Sequence, residues 1–417
     1  MTEALTRRDF LALSAAGLAA SSAALGAAAP KKLYAYVSSW TKGPGFGKGG
    51  GGGVSVFTVN MTDGSLVPVS RTGPEFDNLN GGGLGIAPNG RFLYVTNEVG
   101  DLDGKRGAGG GVLAFAINQQ DGSLTHLNTQ SSLGTDACNL AIDATGTRVL
   151  VANHGSAQPV VRIVKQNGVP EVQNLFDHGS VVMFVVKPDG SLEPACDAAP
   201  FGEEVGPVSQ VPGQAHSVYI DPSNRFVVAC DVGADHLYQF RFDPASRSLG
   251  TAKVFPTPPG RATRHGAFHQ RLPYFFVINE RESSLSSLRF DAATGDLQMI
   301  QTAPTVVEGY SGARNAPADI RVHPNGKFVY GGNRGDESIA VFRLDEKTGQ
   351  LTPVEIVKTQ GAAREFNFDP SGKFLFAANP QSNAVVTFAV DPDTGKMTPT
   401  GAKAEMPKPV CIHFAML

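Results

Sequence analysis

Arg264, Arg334 and Arg364, together with Glu280 and His216, are the side chains of this sequence best suited to chemistry. A guanidinium is permanently charged and presents a two-pronged donor. Three of them gathered in one place would receive a carboxylate, a phosphate or a developing oxyanion. Glu280 and His216 are groups able to accept or return a proton. Glu98, His154 and Trp40 stand at equivalent places in the repeat pattern described below and are expected to bind substrate in the same site, with Arg364. An arginine beside a glutamate at a strand end is commonly a structural ion pair, so a site exists only if the fold makes these residues converge.

Other chemistries fail on spacing. His265 and His269 are four residues apart, which in a strand separates them by roughly 13 Å, too far to share a metal. The glycine run from Gly43 to Gly53 lacks the Gly-Lys-Ser/Thr ending of a phosphate loop and is flanked by strands; it reads as a flap beside Trp40. A serine nucleophile elbow is missing. No metal and no cofactor are expected.

The elements that must position the eight residues are visible as two interleaved repeats. One begins at an aromatic or apolar residue, passes a turn of Asp, Gly or Pro, and ends at a second apolar residue. It occurs seven times, as FTVNMTDGSL from Phe57, FAINQQDGSL from Phe115, FVVKPDGSL from Phe184, FRFDPASRSL from Phe240, LRFDAATGDL from Leu288, FRLDEKTGQL from Phe342 and FAVDPDTGKM from Phe388. Each predicts a strand, a turn and a return strand. The other motif precedes all but the first of these, as in IAPNGRFLYVTNE (86–98) and VHPNGKFVYGGNR (322–334). Its missing copy is divided between Leu33–Ser39, a second strand, and the terminal PVCIHF (409–414), an innermost one. The prediction is an all-β, seven-bladed β-propeller of four-stranded antiparallel blades, closed by strands from both termini. The spacing between copies is stretched at Gly100–Gly111, His154–Val181 and Glu193–Ala215, which read as loop insertions.

Strand direction then places the site. The inner strand of each blade runs down and the second returns, so the start of the first and the end of the second share one face. The first position holds Gly82, Cys138, His216, Arg264, Ala318 and Arg364; the second holds Trp40, Glu98, His154, Val232, Glu280, Arg334 and Pro380. Period-two alternation predicts the first set polar at the rim, with apolar residues two and four positions deeper. Both sets vary from blade to blade, as a site requires. The residue before the second set is nearly uniform (Ser39, Asn97, Asn153, Asp231, Asn279, Asn333, Asn379) and reads as a strand-ending backbone partner. Asp319, Glu365 and His265, one position off, are assigned to ion pairs or contacts between blades.

With these residues in place the chain resembles the seven-bladed lactonase family, which includes bacterial 6-phosphogluconolactonases and fungal carboxy-muconate cyclases. The resemblance extends over essentially the whole of residues 30–417. It is most specific at QAHSVYIDPSNRFVVACDVGAD (214–235), RHGAFH and FVINERESS (within 264–284), ADIRVHPNGKFVYGGNRGDESIAVF (318–342), REFNFDPSGKFLFAANPQSNAVVTF (364–388) and PVCIHF. It implies a metal-free site in which the family's His, Arg, Glu and Arg match His216, Arg264, Glu280 and Arg334. Two departures stand out. Cys138-Asn139 replaces a frequent Cys-His, and Ala262-Thr263-Arg264-His265 replaces Gly-Pro-Arg-His.

Composition agrees with many short strands: 49 glycines, 28 prolines and 18% charged residues. A net charge of −3 without a basic block argues against nucleic acid. Thr6-Arg7-Arg8-Asp9-Phe10-Leu11, followed by an alanine-rich apolar stretch, reads as a twin-arginine signal over 1–29, with one propeller domain over 30–417. The Tat export machinery is then a partner, the destination is the periplasm or the extracellular space, and no stable membrane span remains after cleavage. A monomer is expected, with Cys138, Cys196, Cys230 and Cys411 mostly buried and unpaired. The leading function is metal-independent hydrolysis of a sugar-type lactone, with Glu280 or His216 activating water and Arg264 and Arg334 holding the oxyanion. Lactone formation from a muconate-like polycarboxylate, and a non-catalytic periplasmic binding propeller, are the alternatives.

Overall fold

Each paired repeat folds as one four-stranded antiparallel sheet, the Pro-Asn-Gly motif supplying the two inner strands and the aromatic motif the outer hairpin. The structure, a computed structural model, describes residues 31–41, 51–202, 204–312 and 314–417. The twin-arginine signal expected over 1–29 and most of the glycine run expected to form a flap fall outside the described residues. Counting from the N-terminus, the inner strands of blades 2 to 7 are Gly81–Ile86, Ala137–Ile142, Ala215–Ile220, Thr263–Phe268, Pro317–Val322 and Glu365–Phe368. Their second strands are Phe92–Asn97, Arg148–Asn153, Phe226–Asp231, Tyr274–Asn279, Phe328–Asn333 and Phe374–Asn379. In blade 1 the second strand, Leu33–Ser39, pairs on one side with Gly53–Val59 and on the other with Pro409–Met416, which is innermost. The chain is thus an all-β seven-bladed propeller closed by strands from both termini.

The core lies between blades. Among the described residues seven apolar clusters occur, one for each pair of neighbours. Tyr34, Tyr36 and Val56 meet Leu93, Val95 and Phe115 between blades 1 and 2. Phe374, Phe376 and Val385 meet Leu33, Ala35, Val37 and Ile412 where blade 7 returns to blade 1. A sheet can bury both faces only in this way, so blades stabilise one another around the ring.

The turn glycines of the aromatic motif are part of the same joints. Gly190 has φ of +86°, and a Cβ there would stand 2.1 Å from the Phe92 ring of the preceding blade. Its carbonyl accepts a hydrogen bond from Tyr94 Oη at 3.0 Å; Gly122 and Tyr36, and Gly395 and Tyr330, repeat the arrangement. A side chain at Gly190 would meet both steric obstacles at once.

Truncation before Pro409 tests the closure. It removes the buried Val410, Cys411, Ile412 and Ala415 and leaves Leu33–Ser39 without an inner partner. The expected result is loss of the single cooperative melting transition in calorimetry. A sharp transition near the full-length temperature would show that the ring does not depend on this strand.

Two expectations change. The His154–Val181 insertion is not a loop: Ser156–Gln166 and Val169–Asp177 pair as a separate two-stranded hairpin between the second and third strands of blade 3. Val160, Val161, Ile163, Val164, Val169 and Val172 supply the β-branched content a strand favours. The alternation assumed for the inner strands is also broken, as described below. Cys138, Cys230 and Cys411 are buried free thiols, and Cys196 is a half-buried one.

Candidate functional site

Bulges aim the side chains of the site. In blades 1 to 6 the register between the inner and second strands slips at the start of the inner strand. His216 is the extra residue between Ala215 and Ser217, and Arg264 the extra residue between Thr263 and His265. A bulge bends the strand and redirects the inserted side chain. The rim residues are therefore not in phase with the apolar positions below them, contrary to simple period-two alternation.

The eight residues singled out in the sequence line one cavity of about 590 Å³. Every blade contributes: Trp40 from blade 1, Glu98 from blade 2, His154 from blade 3, His216 from blade 4, Arg264 and Glu280 from blade 5, Arg334 from blade 6 and Arg364 from blade 7. Asn80, Val99, Gly100, Asp101 and Asp136 complete the lining and were not anticipated. Asn80 and Asp136 stand two residues before Gly82 and Cys138, so extending the first rim position by two would have found them. Gly100 and Asp101 open the Gly100–Gly111 insertion, with Val99 immediately before it, and the length of that insertion was the available signal.

The two glutamates of the cavity sit in opposite settings. Glu280 Oε2 accepts from Arg264 Nη1 at 2.6 Å, and its Oε1 pairs with Arg334 Nη2 at 3.0 Å. Burial pushes its carboxyl up, but Arg264 and Arg334 together outweigh burial and hold it at about 2. Both oxygens of this carboxylate are engaged by guanidinium groups, the ion-pair arrangement that the sequence left open beside a role in proton transfer. Glu98 Oε2 accepts a single 2.8 Å bond from Trp40 Nε1, while its Oε1 lies 3.5 Å from Arg364 Nη2. Burial dominates there, against the indole bond and the charges of Arg264 and Arg334, and raises the carboxyl to about 7.

The arginines are fixed through their inner nitrogens. Arg264 Nε donates to Ala318 O at 3.0 Å and Arg334 Nε to Ala316 O at 2.8 Å, both carbonyls at the start of blade 6. Arg364 lies over the Trp40 ring, with Cζ 4.8 Å from its centre, a cation–π contact. Arg264 Nη2 and Arg364 Nε are buried and have no hydrogen-bond partner among the described residues. Burial and the neighbouring Arg264 lower the Arg334 guanidinium to about 10, leaving it charged at neutral pH.

His216 is held neutral. Burial, then Arg264, His265, His154 and Arg334, push it well below the usual imidazole range. Its ring stands edge-on to His154 and His265, at 5.4 and 5.2 Å between centres. His265 itself turns away from the cavity: its Nδ1 is 3.1 Å from Asp319 Oδ1, and Asp319 and Glu365 both pair with Arg321. This chain of contacts ties blades 5, 6 and 7 together, as the off-rim placement of those residues implied. The strand-ending Asn and Asp residues serve the backbone: Asp231 Oδ1 accepts from Gln214, Gly233 and Ala234, and Asn153 Nδ2 donates to Ser132 O. No group of three or more His, Cys, Asp or Glu side chains arranged to hold a metal ion occurs among the described residues.

Chemically, the cavity combines fixed cations with unused donors, a neutral imidazole and one carboxyl that titrates near neutrality. Such a set can receive an anion, stabilise an oxyanion and move a proton.

Comparison with known proteins agrees with this architecture. The sequence model of the family described as lactonase, 7-bladed beta-propeller, matches residues 34–414. A 6-phosphogluconolactonase of Bacillus subtilis is 30% identical over 339 residues, covering 81% of this chain and 85% of its own. A 6-phosphogluconolactonase of Formosa agariphila is 28% identical over 75% of this chain and 80% of its own. Among solved structures, the periplasmic gluconolactonase of Pseudomonas aeruginosa superposes with a TM-score of 0.77 at 27% identity, covering 92% of this chain and 99% of that one.

Proposed function

Because this chain belongs to the seven-bladed β-propeller lactonase family and is a lactone hydrolase by that membership, we propose that it hydrolyses a sugar-type lactone at the mouth of its central channel, without a resident metal. The observation that carries this reading is the convergence of three arginines on a cavity lined from all seven blades, two of them with a buried nitrogen that has no hydrogen-bond partner among the described residues. Relatives named as 6-phosphogluconolactonases and as a gluconolactonase support a sugar lactone as the substrate class.

In this reading Arg264 and Arg334, held by Glu280 and by the blade 6 carbonyls, receive the oxygen of the lactone carbonyl as it becomes negative. Preorganised charge needs no rearrangement during the reaction, so it favours the tetrahedral state over the ground state. Arg364, braced on Trp40, binds a carboxylate, phosphate or hydroxyl of the substrate remote from the reacting carbon. Neutral His216, beside His154, hydrogen-bonds to the sugar ring. The protein acts as a monomer after twin-arginine export, outside the cytoplasm; Arg7-Arg8 and the periplasmic relative support that placement.

The test is acid release from a panel of sugar lactones and phospholactones, followed with a pH indicator against the spontaneous rate. Turnover of at least one aldonolactone is the expected result. Silence across the panel, with strong thermal protection by polycarboxylates, would replace hydrolysis by closure of a muconate-like diacid. Silence without protection would leave a binding propeller.

A further inference from the structure

Glu98 and Glu280 face the same cavity, and only one of them has an oxygen left for a water molecule. Both Glu280 oxygens lie within 3.0 Å of a guanidinium nitrogen. Glu98 is anchored through one oxygen by the Trp40 indole, while the nearest charge to the other, Arg364 Nη2, stands at 3.5 Å. Gly82 opposite it has no side chain; a Cβ there would come within 2.9 Å of Glu98 Oε2. The blade 2 rim is thus cleared where the carboxyl sits.

We propose that Glu98 is the catalytic proton carrier of this lactonase, taking the proton of the attacking water and returning it to the ring oxygen. The proposal rests on the hydrolytic reading above. In the first step Glu98 carboxylate removes a proton from water as the water oxygen bonds to the lactone carbonyl carbon. The carbonyl electron pair moves onto its oxygen, beside Arg264 and Arg334. In the second step that pair re-forms the C=O bond and the bond from carbon to ring oxygen breaks. Protonated Glu98 gives its proton to the leaving alkoxide, which becomes the hydroxyl of the ring-opened acid. One water is consumed and Glu98 is again ionised.

The surroundings suit this work. Burial opposes the ionised form, against the Trp40 indole bond and the charges of Arg264 and Arg334. Arg364 pairs with Glu98 at 3.5 Å, and the nearby Asp136 and Cys138 have their own proton affinities raised by burial and by the charge of Glu98. The balance leaves Glu98 near 7, where an acid–base group exchanges protons most effectively in both directions. Asp136 is raised for the same reasons, burial first and the charge of Glu98 second.

Two measurements on the full chain test the assignment. In the first, kcat/KM for the best lactone is followed from pH 5 to 8. The wild type should rise through about pH 7 to a plateau, because the base must be ionised. Glu98→Gln should lower kcat by about 10²–10⁴ and abolish that limb. Its amide oxygen can still accept from Trp40, so the fold should persist. Glu98→Asp, one methylene shorter, should recover part of the rate and keep the limb, and Glu280→Gln should keep the limb at a lower plateau. Survival of more than a tenth of kcat in Glu98→Gln, or an unchanged limb, would overturn the proposal and leave hydrolysis intact. No turnover by the wild type would bring down both.

The second measurement needs no substrate. The folded carboxyl is raised above its ordinary 4.5 to about 7, so the stability linked to it is complete below pH 4.5 and is lost as pH rises through 7. The melting temperature of Glu98→Gln relative to wild type should therefore climb between pH 5 and 8. A flat difference would show that Glu98 does not exchange a proton in this range, and would refute its role even if activity fell.

Discussion

Arg264→Ala is expected to lower kcat for lactone hydrolysis by about 10²–10³, the usual effect of losing one oxyanion donor. No other side chain can take its place, because its fork does three things at once. Nε holds the Ala318 carbonyl, Nη1 holds Glu280, and Nη2 is buried with no hydrogen-bond partner among the described residues. Arg264→Lys should recover little, since an ammonium is a point donor and cannot span those positions. KM should change less than kcat, because the donor is used most when the carbonyl oxygen carries full charge. Initial-rate kinetics on the lactone turned over best, with melting curves to confirm folding, decide the matter. More than a third of the wild-type kcat in Arg264→Ala would remove it from the oxyanion role.

Glu280→Gln should damage both stability and rate, for a different reason. It withdraws the negative charge from between Arg264, which is buried, and Arg334, which is half-buried. Removing one partner of a buried ion pair costs on the order of 3 kcal/mol, mostly because the remaining charge is left uncompensated. The sign with pH follows from the carboxyl being lowered from 4.5 to about 2. Its contribution is present above pH 4.5 and lost as pH falls through 2. The stability gap between wild type and Glu280→Gln should therefore be widest near neutrality and close below pH 4.5. Chemical denaturation at pH 7, 4 and 3 measures it. The rate should fall about 10²-fold through misplaced arginines. A gap that does not narrow in acid would mean that the carboxylate charge is not what the arginines need.

These expectations separate two roles that look alike in the primary structure. Glu98 and Glu280 both follow an asparagine at the end of a second strand, and nothing in the residues around them marks one as clamped and the other as titrating. The difference comes from neighbours on other strands. Glu280 meets Arg264 from the inner strand of its own blade and Arg334 from the next blade, whereas Glu98 meets Trp40, 58 residues away on the preceding one.

Several features could be read without a structure. The two repeats, each with its own turn chemistry, specify seven blades. The divided copy at the termini specifies how they close. Strand direction alone brought Trp40, Glu98, His154, His216, Arg264, Glu280, Arg334 and Arg364 to one face, because period and polarity are local properties of the chain. The bulges at the start of the inner strands could not be read this way. They depend on register against a neighbouring strand, and they decide where His216 and Arg264 point. Nor could the proton affinities of the two glutamates, which turn on distances of about 3 Å between side chains from different blades and on how deeply each is buried. Sequence determined which residues could meet; the tertiary structure decided which of them pair, and so which one remains free to carry a proton.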